Sequence, residues 1–170
     1  MFRRIVLGVA LCAAAVSSSA MAAEKNWTAP DYKLYAQQLS DETMRQNKDL
    51  LSVTIHGVPP GLQGVYTMFA GSYPDRIGNP DDPDDIDVIK KGITIVDPRW
   101  NRVNDTSPKF VVLMPMRNVK GENIGLVVYA FKVPARSNKY EAPLYARALK
   151  LRDALAKRIP SYEALFNKAN

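Results

Sequence analysis

The segment FVVLMPMRNVKGENIGLVVYAF, Phe110–Phe131, decides how this chain folds. Its two ends, Phe110 to Met116 and Ile124 to Phe131, are almost wholly apolar, and the Asn118–Asn123 link between them is polar and contains Gly121. Two apolar runs of strand length joined by a short polar, glycine-bearing link predict an antiparallel hairpin. Strands that are apolar on both faces belong at the centre of a sheet, where neighbours cover them above and below.

Upstream, Leu51, Val53 and Ile55 alternate with Ser52, Thr54 and His56, which predicts a half-buried strand ended by Pro59-Pro60-Gly61. Val65 to Ala70 reads as a second strand and Ile93 to Val96 as a short third one, giving about five in all. Between them lies a stretch with Pro74, Gly78, Pro80 and Pro83 and aspartates at 75, 81, 82, 84, 85 and 87. Asp84-Asp85-Ile86-Asp87 leads into Val88 to Lys91 and Gly92. This is a short helix with acids at its positive end, lysines at its negative end and a glycine to close it. The aspartate run is thus read as a charged loop and helix cap, with no metal assigned.

Helices bracket the sheet. A long N-terminal helix is predicted from a Thr28-Ala29-Pro30-Asp31 start through Tyr32, Tyr35, Ala36, Leu39 and Thr43 to about Lys48. A closing helix starts near Tyr140 to Pro143 and carries Leu144, Ala148, Leu151, Leu155 and Ile159 on one stripe. Pro160-Ser161 interrupts it before a last docking turn with Tyr162, Leu165 and Phe166. The expected fold class is α+β: an antiparallel sheet of about five strands with helices packed on one side.

Ahead of all this, Arg3 and Arg4 precede a short apolar run, Ile5 to Val16, and Ala20-Met21-Ala22 supplies a small-x-small cleavage site. Residues 1–22 are read as a cleavable secretory signal peptide and 23–170 as one exported, periplasmic domain. The apolar run is too short to span a bilayer. Leu11 precedes Cys12 where lipidation wants a small residue, so no membrane anchor is expected. Cys12 is the sole cysteine, and its removal excludes disulfides, thiolate nucleophiles and cysteine-ligated zinc or iron–sulfur sites. The formal charge of +6 includes both N-terminal arginines, and the remaining basic residues are spread along the chain. Nucleic-acid binding would want a concentrated stripe, and none is expected.

His56 is the only histidine. No Gly-x-Ser-x-Gly elbow accompanies it, so no catalytic residues are assigned. For a ligand pocket the candidates are His56, Tyr66, Tyr73, Arg76, Arg117 and Tyr129. Arginine forks onto carboxylates, and tyrosine offers an apolar face with one polar tip. Met68, Met114 and Met116 are read as core filler rather than a soft-metal site.

The order of elements, and the hairpin Val111 to Val128 with its polar turn followed by Ile124-Gly125 and an apolar run, resembles a periplasmic PAS-like sensor domain of the single-Cache type. Ile55-His56-Gly57-Val58-Pro59-Pro60-Gly61, Arg76-Ile77-Gly78 and Arg158-Ile159-Pro160-Ser161 are similar to small exported Cache-like proteins of no assigned function. The resemblance implies a soluble small-molecule-binding domain without catalytic activity and without cofactors. The alternative is a module that binds another periplasmic protein through its sheet or first helix, and a less favoured third is an enzyme with an unrecognised acid–base pair. A pocket between the sheet and the Gly57–Gly92 segment would favour the first. Mature protein recovered from the cell envelope is expected to begin within about two residues of Ala23 by intact mass. Retained Met1, or a diacylglyceryl adduct on Cys12, would overturn the export reading.

Overall fold

Residues 24–170 are described in the computed structural model; the expected signal segment and its cleavage site lie outside the described residues. Helix α1 (Tyr35–Gln46), strands β1 (Leu50–Gly57) and β2 (Thr67–Gly71), helix α2 (Pro83–Lys91), strands β3 (Ile95–Pro98), β4 (Lys109–Arg117) and β5 (Asn123–Lys132) and helix α3 (Glu141–Ala156) follow in that order. The strands form one antiparallel sheet in the order β2-β1-β5-β4-β3. The apolar hairpin supplies the middle, with β5 between β1 and β4. No helix of the described residues is long and apolar enough to cross a membrane.

Alternation along β4 and β5 divides their side chains between two cores. Phe110, Val112, Met114 and Met116 join Val127, Tyr129 and Phe131 on the face covered by α1 and α3, where Ala36, Leu39, Ala148, Leu151 and Leu155 meet them. Val111, Leu113, Leu126 and Ala130 face the other way and are covered by Val88 of α2. The expectation of helices on one side is therefore corrected. Because the hairpin is apolar on both faces, a one-sided layer would have left the second face in water.

The long first helix is also corrected. Helix α1 has 12 residues, begins at Tyr35, and carries no side-chain cap from Thr28. Residues before it use their backbone groups elsewhere. Asn26 N–H donates to the Gly78 carbonyl at 2.9 Å, and Ala169 N–H to that of Lys33 at 2.8 Å. Extended pairing with distant segments displaces the local helix signal. On β1 a register shift between Leu50 and Ser52 moves Leu51 off the main core, so Leu50, Val53 and Ile55 occupy it instead.

Helix α2 matches its sequence signals closely. The Asp85 carboxylate accepts the Asp82 N–H at 3.2 Å at its start, and Gly92 closes it with φ +65°. Beyond α3, the turn Glu163–Phe166 docks Leu165 in the core and sets Phe166 against Phe69, ring centroids 4.6 Å apart. Leu126 is fully enclosed between β1, β4 and α2. Leu126→Ala is expected to lower stability by about 2–5 kcal/mol, read from denaturant midpoints. An unchanged midpoint would show that this second core is not closed.

Candidate functional site

On the sheet's second face a cleft opens beside α2, over the polar side of β1. Ser52 and Thr54 open there, with His56 at the far end, over a floor of Val111, Leu113, Val128 and Ala130 from the hairpin. Tyr73 and Arg76 form one wall, and the start of α2, with Asp82, Asp84 and Asp85, forms another. Arg99 and Lys109 close the opposite end. The resulting cleft holds about 170 Å³. That is below the roughly 300 Å³ at which drug-sized ligand pockets begin.

The wall beside His56 is built by a strap, residues 78–81, laid along the outer edge of β2. Gly78 N–H donates to the Met68 carbonyl at 2.8 Å, Met68 N–H to that of Asn79 at 3.2 Å, and Asp81 N–H to that of Tyr66 at 3.1 Å. Gly78 has φ +89°, and a Cβ there would collide with the Trp27 carbonyl oxygen, so no other residue fits. Gly125 also packs closely, where a Cβ would stand 2.7 Å from the His56 carbonyl oxygen.

The strap delivers Asp81 to His56. Asp81 Oδ1 lies 2.7 Å from His56 Nδ1, and His56 Nε2 lies 2.7 Å from Thr54 Oγ1. With a carboxylate at Nδ1, that nitrogen carries the proton, so in the neutral ring Nε2 accepts the Thr54 hydroxyl. Asp85 Oδ2 stands 3.9 Å from the same Nδ1. Burial pushes the Asp85 carboxyl up to about 6; the His56 ring opposes this, and the Asp81 and Asp84 charges add to it. An acid–imidazole–hydroxyl line resembles the activation of a nucleophile. Acyl transfer would also need donors aimed at a developing oxyanion, whereas this end of the cleft gathers carboxylates, which oppose one. The arrangement holds the imidazole in one orientation and one tautomer.

The opposite end is cationic but internally paired. Arg99 Nε lies 2.6 Å from Asp97 Oδ2 and its Nη1 3.4 Å from Asp105 Oδ2, and Lys109 Nζ is 3.6 Å from the same Asp105 oxygen. Hydrogen bonds from the Ser107 hydroxyl and backbone, helped by the Lys109 and Arg99 charges, hold the Asp105 carboxyl down at about 2. Arg76 has no carboxylate partner among the described residues; its guanidinium carbon sits 5.7 Å from the centre of the Tyr73 ring.

Of the six ligand candidates, the fold brings together His56, Tyr73 and Arg76. Tyr129 points to the opposite face, where its fully enclosed ring packs beside Phe131 and burial pushes its phenol upward. Arg117 is exposed at the turn end of β4, and Tyr66 lies outside the cleft with Lys90 Nζ 5.1 Å from its ring centre. These three are corrected as cleft residues. For Tyr129 and Arg117 the reason is strand geometry: odd positions of β5 face α1 and α3, and β4 runs past the cleft before reaching Arg117. Ser52, Thr54, Asp81, Arg99 and Lys109 were missed. Thr54 was legible as the neighbour of His56 on a two-residue period, but nothing local marked Asp81 as its partner.

No protein-family model matches the sequence, and no curated protein matches it significantly. Among solved structures the chain is similar to the Agobacterium tumefaciens repressor BlcR, at 12% identity, covering 79% of this chain and 68% of that one with a TM-score of 0.44. It is similar to the type II free methionine-R-sulfoxide reductase of Thermoplasma acidophilum at 14% identity, 78% and 93% coverage and a TM-score of 0.45. The E. coli DcuS sensor domain shows 17% identity, 69% and 71% coverage and a TM-score of 0.38. The three differ from one another in what they do.

The raised carboxyl of Asp85 has a consequence for stability. Its folded value of about 6 lies above the ordinary 3.8, so the folded protein binds this proton more tightly than the unfolded chain. The favourable contribution is complete below the lower value and is lost as pH rises through the higher one. Relative to Asp85→Asn, the unsubstituted protein is expected to gain up to about 3 kcal/mol as pH falls from about 7 to about 4. Urea midpoints across that range measure it, and parallel curves for the two proteins would contradict the assignment.

Proposed function

We propose that this chain is a small-molecule-binding, sensor-like domain of PAS-like type that works in the periplasm after export and has no catalytic activity of its own. The observation that carries the reading is the cleft between the polar strip of β1 and the Tyr73–Asp85 segment, which joins an apolar floor to a few convergent polar groups. A sheet packed flat over the same strip would instead have favoured docking to another protein. Export rests on the Arg3 to Ala22 signal pattern, and the PAS-like reading on the element order and the central hairpin.

The volume suits a small metabolite, and the side chains suit one that carries an anionic group. Arg76 is the guanidinium available to it, since Arg99 and Lys109 are already engaged by Asp97 and Asp105. Tyr73, beneath Arg76, offers the ligand an aromatic edge. The acids near His56 keep the mouth from being generally positive, so selection works through local geometry rather than long-range steering.

Thermal-shift screening of the protein against small organic anions tests this. A ligand present at about a hundred times its Kd should add about 2.7 kcal/mol of stability. Arg76→Ala should abolish that shift and leave the ligand-free melting temperature within about a degree, because an exposed arginine outside any ion pair contributes little to folding. Equal ligand-induced shifts in the two proteins would remove Arg76 from the site. A screen without hits would overturn the reading in favour of partner binding.

A further inference from the structure

The end of the cleft at His56 holds a feature that small-molecule binding does not use. The Asp81 side chain is 0% exposed, and while Oδ1 meets the imidazole, Oδ2 is sealed from solvent with no hydrogen-bond partner. A buried carboxylate oxygen without a donor is costly, and native proteins rarely leave one. His56 Nδ1, Asp81 and Asp85 bring one ligand atom each to within 4.8 Å of one another. From the orphaned Asp81 oxygen and this convergence we infer that His56, Asp81 and Asp85 form a binding site for a divalent first-row transition ion, with Zn²⁺ the best fit.

The donor set selects the ion. One imidazole nitrogen with two carboxylates suits zinc and its neighbours, whereas calcium and magnesium want shells of six or more oxygens. Tetrahedral ligation at 2.0–2.1 Å places donor atoms about 3.3 Å apart. The two separations from Nδ1, 2.7 Å to Asp81 and 3.9 Å to Asp85, lie on either side of that value. Side-chain adjustments of about half an ångström would accommodate the ion. Its charge would take the place of the proton now shared between Nδ1 and Asp81.

The surroundings support the same geometry. With Nδ1 bound to the metal, Nε2 carries the ring proton and donates to Thr54 Oγ1, already 2.7 Å away, which fixes the tautomer as an outer-shell partner does. Asp85 is held from behind by the Asp82 N–H, and a carboxylate oxygen has lone pairs for both. His56 and Asp85 also line the cleft, so a fourth coordination position would open into it. The neighbouring trio Asp82, Asp84 and Asp85 is different: its acids are those that cap α2.

The inference stands apart from the small-molecule reading and fails separately from it. The test uses tag-free, chelator-stripped protein, titrated calorimetrically with Zn²⁺, Ca²⁺ and Mg²⁺ in parallel. One Zn²⁺ per chain is expected, at least about tenfold tighter than either alkaline-earth ion. His56→Gln and Asp81→Asn should each weaken it by more than about a hundredfold, and Thr54→Val by about 10–100-fold. Since His56 is the only histidine, nitrogen NMR of the unsubstituted protein gives a readout that needs no variant to fold. Zinc should move the Nδ1 resonance and leave Nε2 protonated. Zinc bound through Nε2, undiminished by the substitutions, or weaker than calcium would overturn the site, as would no binding at all. An organic anion whose stabilisation is lost in Arg76→Ala would remain a ligand in any of these cases.

Discussion

The hairpin of β4 and β5 cannot tolerate water on either face, and most of the architecture follows from that constraint. Phe110, Val112, Met114, Tyr129 and Phe131 need cover on one side, and Val111, Leu113, Leu126 and Ala130 need it on the other. Each fully buried large side chain is worth about 1.5–3 kcal/mol relative to exposure. Leaving either face open would therefore forfeit several kcal/mol in a fold whose net stability is of similar size. Helices α1 and α3 cover the first face. The second is wider than the nine-residue α2 can roof, and the Tyr73–Asp81 segment approaches the remainder only along one margin.

The cleft is what this incomplete roof leaves. It falls over β1 because the inner face of β1 joins the main core while its outer face carries Ser52, Thr54 and His56, which do not demand burial among apolar groups. Polar groups there still need partners. His56 finds Asp81 and Thr54, and the Ser72 hydroxyl accepts the Val53 N–H at 3.1 Å nearby. The same polarity that turns the strip toward the cleft thus makes it chemically ordered. Gly78 lets the strap turn against the Trp27 backbone and so sets where Asp81 arrives.

Charge is arranged around the cleft rather than across it. Acids gather at the end formed by the start of α2, where the helix's free N–H groups favour them. Cations gather at the β4 end, where Asp97 and Asp105 anchor Arg99 and Arg102 beside Lys109. Those cations are engaged by carboxylates, and Arg76, lying over Tyr73 on a proline-led turn, is the cation left to respond to an incoming group.

Short-range patterns were enough for much of the fold. The apolar runs on either side of Asn118–Asn123 required a central hairpin, the acids, lysines and Gly92 delimited α2, and the stripe from Leu144 to Leu155 marked α3, because each signal is contained within one element. The helix stops at Ala156, and Ile159, expected on the same stripe, enters the core from the turn beyond it. Positions depending on two distant segments were not legible. Thr28 looked like a helix cap until the backbone on either side of it paired with Gly78 and the C-terminal tail, and Leu51 looked like core until a register shift turned it outward. The site divides in the same way. His56, Tyr73 and Arg76 were visible as residues able to bind, since side-chain chemistry is local. Their convergence, the exclusion of Tyr129, and the burial of Asp81 against His56 across 25 residues were decided only by the tertiary structure. Strand pairing sets which side chains meet, and no property of an aspartate within its own loop records which histidine the sheet will bring to it.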